Sequence, residues 1–188
     1  MKFSLSRHDL SAFSVILRRF TALIALISIL SSSSCAPRST DPELFFFRSS
    51  DIYAELLVEC NDNLTTLAYK RTGATEETRI LSPSPISDIC FTKENGVTRI
   101  SAGNVSAEAP TALTLLPSIC SAIFSPTPET VSSITTEKVG ETTLTVTRFE
   151  YFSISLSPDG LPVSAEGVIN GVAFNAEITA FTVENSGS

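Results

Sequence analysis

Along most of the chain, apolar and polar side chains alternate one by one. In AELLVEC, residues 54–60, Ala54, Leu56, Val58 and Cys60 fall on one face, and Glu55, Leu57 and Glu59 on the other. A period of two belongs to a half-buried strand. LTTLAYKRT, residues 64–72, repeats it with Thr65, Leu67 and Tyr69 in phase, and Asn61-Asp62-Asn63 supplies the turn between the two runs. Further strands are predicted over 77–81, 88–93, 97–102, 131–138, 143–148, 151–157, 161–169 and 172–180. In the last of these Val172, Phe174, Ala176, Ile178 and Ala180 share a face. Asn95-Gly96 and Asn170-Gly171 are hairpin signals, because both central positions of a two-residue turn need positive φ.

TALTLLPSICSAIF, residues 111–124, breaks the alternation. Leu116, Ile119, Cys120 and Ile123 share a face at helical spacing. Pro117 suits the first helical position, so a short helix is predicted over 117–124, ended by Pro126 and Pro128. The fold expected is mainly β: a curved antiparallel sheet or incomplete β-barrel of about nine to ten strands, with one or two short helices against the concave face. Strands apolar on one face only need a cover. The predicted contact sets Leu116, Ile119 and Ile123 against Leu56, Val58, Val172, Phe174 and Ile178. Two forms of it are open: a loose lid over a cavity of about 300 Å³ or more, or a dense plug. Phe45-Phe46-Phe47 is expected to pack into the same core, and the rival reading is a wedge dipping into a membrane.

The N-terminal stretch follows another logic. Lys2, Arg7, Arg18 and Arg19 precede Thr21–Leu30, an apolar-rich run too short to span a bilayer and of the length of a signal-peptide core. Ser31 to Ser34 and then Cys35 close it. This resembles the bacterial lipobox, in which a peptidase cuts just before a cysteine whose thiol is acylated. The small residues fit that pattern; the aliphatic Leu30 stands five before Cys35 rather than three. The resemblance implies a signal peptide at 1–34, lipid attachment at Cys35, a tether over 35–42 and one β-rich domain over 43–188. Ordinary secretory cleavage near the serines or Ala36 is one alternative, and a transmembrane anchor over Ala12–Leu30, split by the costly Arg18-Arg19 pair, is the other.

Charge and chemistry narrow the function further. The chain of 188 residues carries a formal charge of −7. Beyond residue 34 there remain nine Lys and Arg against nineteen Asp and Glu, a net −10 with no basic run. That excludes nucleic acid as a partner, since phosphate neutralisation supplies most of such affinity. His8 lies in the leader and is the one histidine in the chain, so a mature domain has no histidine base, Ser-His or Cys-His pair, or His-ligated zinc. No enzyme activity, cofactor or metal is expected. Outside the cytoplasm a disulfide is allowed, and Cys60–Cys90 is the pairing expected, with three free thiols, Cys120 included, as the alternative.

The order of elements carries a second resemblance. A lipid-type signal is followed by meandering strands, the SPSPISDICF step at 82–91, a short apolar helix, and strands entered through SPDGLPVSAEG at 157–167. This resembles the LolA/LolB-like lipoprotein-localisation fold. The resemblance implies an incompletely closed barrel around short helices, whose apolar concave face holds acyl chains. It implies a lipoprotein on the extracytoplasmic face of a membrane, with a lipid or acylated ligand as partner. A structural or protein-interaction domain with a filled core and no ligand is the other function left open.

Overall fold

In the computed structural model, which describes residues 42–184, eleven antiparallel strands form one sheet. In chain order they are β1 (Asp51–Cys60), β2 (Asn63–Thr72), β3 (Thr75–Ser82), β4 (Cys90–Glu94), β5 (Val97–Ala102), β6 (Val105–Glu108), β7 (Ser133–Val139), β8 (Thr142–Arg148), β9 (Phe152–Leu156), β10 (Pro162–Ile169) and β11 (Val172–Glu184). Two meanders fan out from the central β1–β11 pair, one running β2 to β6 and the other β10 to β7. β6 and β7 end the sheet as edges, so the barrel is not closed. Ten of the strands correspond to the ten segments predicted from the sequence. β6 went unpredicted because its four residues are all exposed and carry no buried face to imprint a pattern.

The turn signals act as their chemistry requires. Asn95 and Gly96 have φ of 52° and 79°, and Asn170 and Gly171 have φ of 54° and 78°, so both hairpins have positive φ at both central residues. Bulges interrupt β2–β3, β9–β10 and β1–β11. Each inserts one unpaired residue and bends its strand. The bulge in β11 corrects the predicted face: pairing jumps from Leu56–Ile178 to Glu55–Ala180, with Thr179 left over. Thr179 donates its hydroxyl to the Glu55 carbonyl at 3.2 Å. Beyond it the phase is reversed, so Ala180 is exposed while Phe181 and Val183 turn to the core.

α1 (Leu115–Phe124) is the only α-helix among the described residues, with short 3-10 turns elsewhere. It starts two residues earlier than predicted. Pro117 is its third residue, where a backbone N–H would have no partner inside the helix, so proline costs nothing there. A 3-10 segment, Pro42–Ser49, kinks at Phe45 before β1. Phe45 and Phe47 are buried in the core, whereas Phe46 is 42 % exposed and lies over Gly160. The expectation for the phenylalanine run therefore holds for two of its three members. No helix among the described residues is long and apolar enough to cross a membrane.

Candidate functional site

The alternation of the central strands builds the inner face. Ile52, Ala54, Leu56 and Val58 of β1, Leu67 and Tyr69 of β2, and Ile154 and Leu156 of β9 are fully buried. α1 lays Ile119, Cys120, Ile123 and Phe124 on this surface, also fully buried. Phe124 stacks on Tyr69 with ring centroids 4.8 Å apart and on Phe181 at 5.9 Å. Of the residues predicted to line a cavity, Leu56, Val58, Ile119, Ile123 and Phe174 meet in one core, with Leu116 and Ile178 at its border. Val172, half-buried beside the Asn170-Gly171 turn, stays outside it. Depressions of about 440 Å³ beside Phe149, Phe152 and Phe174, and of about 260 Å³ beside Tyr53, Lys70 and Leu81, open to solvent. Neither reaches Leu56, Val58, Ile119 or Ile123. Over the central strands the contact between helix and sheet is dense, and a recess of about 230 Å³ remains between the start of the helix and Lys93 and Thr98 of β4 and β5.

A polar lane crosses the same face at one end. The strand registers place Ile52, Arg71, Glu76, Lys93 and Thr98 side by side on β1 to β5. α1 and the Ser125 that caps its end turn a stripe of hydroxyls toward this lane, Ser118, Ser121 and Ser125, spaced three and four residues apart. Arg71, 5 % exposed, is satisfied by main-chain and hydroxyl oxygens. Nη1 donates to the Phe124 carbonyl at 2.8 Å and to Ser125 Oγ at 2.7 Å. Nε and Nη2 donate to the Ser50 carbonyl at 3.1 and 2.9 Å, and Nη2 also donates to the Phe47 carbonyl. The carbonyls at the end of α1 carry the negative end of its dipole, which favours a cation there. One guanidinium thus ties α1 to the segment before β1.

Glu76 and Lys93 hold the middle of the helix. The Glu76 carboxylate accepts from Ser121 Oγ, and from Ser125 Oγ at 3.4 Å. Lys93 Nζ lies 3.5 Å from Glu76 Oε2 and donates to Ser121 Oγ at 3.3 Å. None of Arg71, Lys93, Ser121 and Ser125 stands out in the sequence, and Glu76, which reads with Glu77 as a solvated edge, has a side chain only 15 % exposed. The signal was present, because Arg71 continues the inward phase of Leu67 and Tyr69, and the serines recur at helical spacing.

Among the described residues the cysteines, Cys60, Cys90 and Cys120, are three free thiols, and the expected Cys60–Cys90 bond is absent. Cys60 ends β1 and Cys90 begins β4, with β2 and β3 between them. Three strand spacings of about 4.8 Å separate them by about 14 Å, twice the reach of a disulfide. Burial pushes the Cys120 thiol up to about 12, which makes it a packing group rather than a nucleophile. Burial likewise raises the Tyr69 phenol, whose hydroxyl makes no well-formed hydrogen bond although Ser125 adjoins it. Among the described residues no cluster of His, Cys, Asp and Glu has metal-site geometry. Cys35, the expected lipid attachment, lies outside the described residues.

A scan against protein-family models finds no match, and a search of curated proteins finds none. Solved structures do match. An uncharacterized conserved protein from Thermus thermophilus superposes with a TM-score of 0.51 at 10 % identity, over 76 % of this chain and 84 % of that one. A LolA superfamily protein from Nitrosomonas europaea gives 0.41 at 8 % identity, over 76 % of this chain and 90 % of that one. The Mycobacterium tuberculosis lipoprotein LppX gives 0.40 at 7 % identity, over 77 % of this chain and 100 % of that one. At such identities the likeness is one of fold alone, carried by the Thermus thermophilus superposition, and the open antiparallel sheet with a short helix against its inner face is the architecture expected from the order of elements.

Proposed function

We propose that this protein is a membrane-tethered, non-enzymatic lipoprotein that binds an acyl chain on the inner face of its sheet. In this reading residues 1–34 are removed as a signal peptide, Cys35 carries the lipid anchor, and the domain stands on the extracytoplasmic side. The observation that carries it is the nature of the cover. The apolar face of the central strands is covered by the ten-residue α1, reached through loops at both ends, together with Phe45 and Phe47 of the segment before β1. Ile119, Ile123 and Phe124 occupy the place an acyl chain would take, and their withdrawal would bare Leu56, Val58 and Tyr69. The polar contacts that moor α1 are hydrogen bonds to Arg71 and Glu76 that water can replace.

The other reading is a packed interaction domain without ligand, and the full burial of Leu56, Val58, Ile119 and Ile123 favours it. One experiment separates them. The protein is purified, its non-covalently held lipid is extracted and weighed by mass spectrometry, and hydrogen exchange of residues 115–124 is followed as palmitate is added. Binding predicts extractable lipid and faster exchange of the α1 amides with palmitate. An empty extract with unchanged exchange overturns the lipid-binding reading.

A further inference from the structure

We propose that the polar lane under α1 ends in a receptor for the anionic head of the lipid, with Lys93 as its cation. This rests on the lipid-binding reading above and names the ligand class: an acyl chain ending in a carboxylate or phosphate. Charges on an inward face are costly unless each has partners, so the use of each one is informative. Arg71 spends its donors on the Phe47, Ser50 and Phe124 carbonyls and on Ser125. Glu76, its side chain 15 % exposed, takes Ser121 and Ser125. Lys93 differs. Its ammonium has three donors, contacts Glu76 at 3.5 Å and Ser121 at 3.3 Å, and its side chain stays 40 % exposed.

Lys93 borders a recess of about 230 Å³ lined otherwise by Thr98, Thr114, Pro117, Ser118 and Ser121. It is the only charged residue on that lining, and four hydroxyls surround it. The first turn of α1 forms one wall, so its dipole adds to the positive potential. The lane as a whole holds two cations and one carboxylate, within a chain whose residues beyond 34 carry net −10. Pro117, on the same lining, is itself buried, and its neighbour Leu116 packs against the core. A head seated on Lys93 therefore leaves its chain at the margin of α1, where the apolar face begins. Competition for Lys93 also weakens its pairing with Glu76 and so loosens one mooring of the helix.

Binding of decanoate, 1-decanol and inorganic phosphate to the purified protein tests this, by calorimetry, for the wild type, Lys93→Met and Thr98→Val. Thr98→Val keeps the Lys93–Glu76 pair, and circular dichroism checks that both variants fold. Wild type should bind decanoate at least tenfold more tightly than 1-decanol. Lys93→Met should abolish that preference and leave 1-decanol unchanged, and Thr98→Val should reduce it several-fold. A tenfold preference that survives Lys93→Met overturns the head-group site. Phosphate binding as tight as decanoate marks a free-anion site and overturns it too. Failure of both decanoate and 1-decanol to bind removes the lipid-binding reading itself, and the head-group site with it.

Discussion

Gly167 sits in β10 with φ of 151°, opposite Phe152 on β9 and Phe174 on β11. A Cβ added there would collide with Phe152 Cα and the Tyr151 carbonyl and come within 2.6 Å of Phe152 Cβ. The colliding atoms are largely backbone, and the Tyr151 carbonyl is pinned by the Val168 N–H at 2.8 Å. Gly167→Ala should therefore lose about 2 kcal/mol or more, from backbone strain and overpacking together. Chemical denaturation measures this, and a loss below about 0.5 kcal/mol would refute the close approach. Such a glycine is not legible in the sequence, because the atoms that exclude a side chain come from another strand. Arg71 is the opposite case. Its inward direction follows from phase with Leu67 and Tyr69, but its partners do not, since the Phe47 and Phe124 carbonyls lie far off along the chain. Phase tells direction, and only the fold tells what is met there.

At the scale of elements, alternation identifies a strand wherever one face is buried and the other wet. It therefore found β1, β2 and β11 and missed β6, which buries nothing. It also carried too far into the second half of β11. ITAFTVE, residues 178–184, contains the change of phase, since Phe181 and Val183 alternate with Thr182 and Glu184 out of step with Ile178. A small residue, Ala180, fits either phase, which hid the bulge. α1 was legible from Leu116, Ile119 and Ile123, because a helix spread on a sheet buries one stripe. Its fit is the element's measurable property. Ile119 is fully buried, so Ile119→Ala should cost about 2–5 kcal/mol as a core truncation. If α1 yields its place to an acyl chain, palmitate should raise the melting temperature of Ile119→Ala more than that of the wild type, because the truncated helix competes less well. Equal, negligible shifts in both would mark α1 as a permanent plug.

For the whole molecule, the question is what could hold it at a membrane. The residues beyond 34 carry net −10, and an anionic leaflet repels such a surface, whereas basic segments gain about 1 kcal/mol per Lys or Arg. None of the described helices can span a bilayer. The aromatic run offers no wedge either, because Phe45 and Phe47 are buried and Phe46 alone stands exposed. The open edges are blunted against casual pairing: β6 is four residues long, and β7 carries Glu137 and Lys138. In the proposed reading membrane residence rests on covalent lipid, and one acyl chain binds only marginally, so a stable anchor needs more than one. In that reading Cys35 carries it, ahead of a short polar stretch of sequence. Cells fed a fatty-acid analogue should label the wild-type chain and deliver it to the membrane fraction. Cys35→Ser should lose the label and either stay as the uncleaved precursor or appear in the soluble fraction, where the acidic domain has nothing else to retain it. Labelling that persists in Cys35→Ser would move the anchor to another residue. A wild-type chain without label, released as soluble protein and cut near Ala36, would replace tethering with secretion, and the lipid-binding face would then have to act as that of a diffusing carrier.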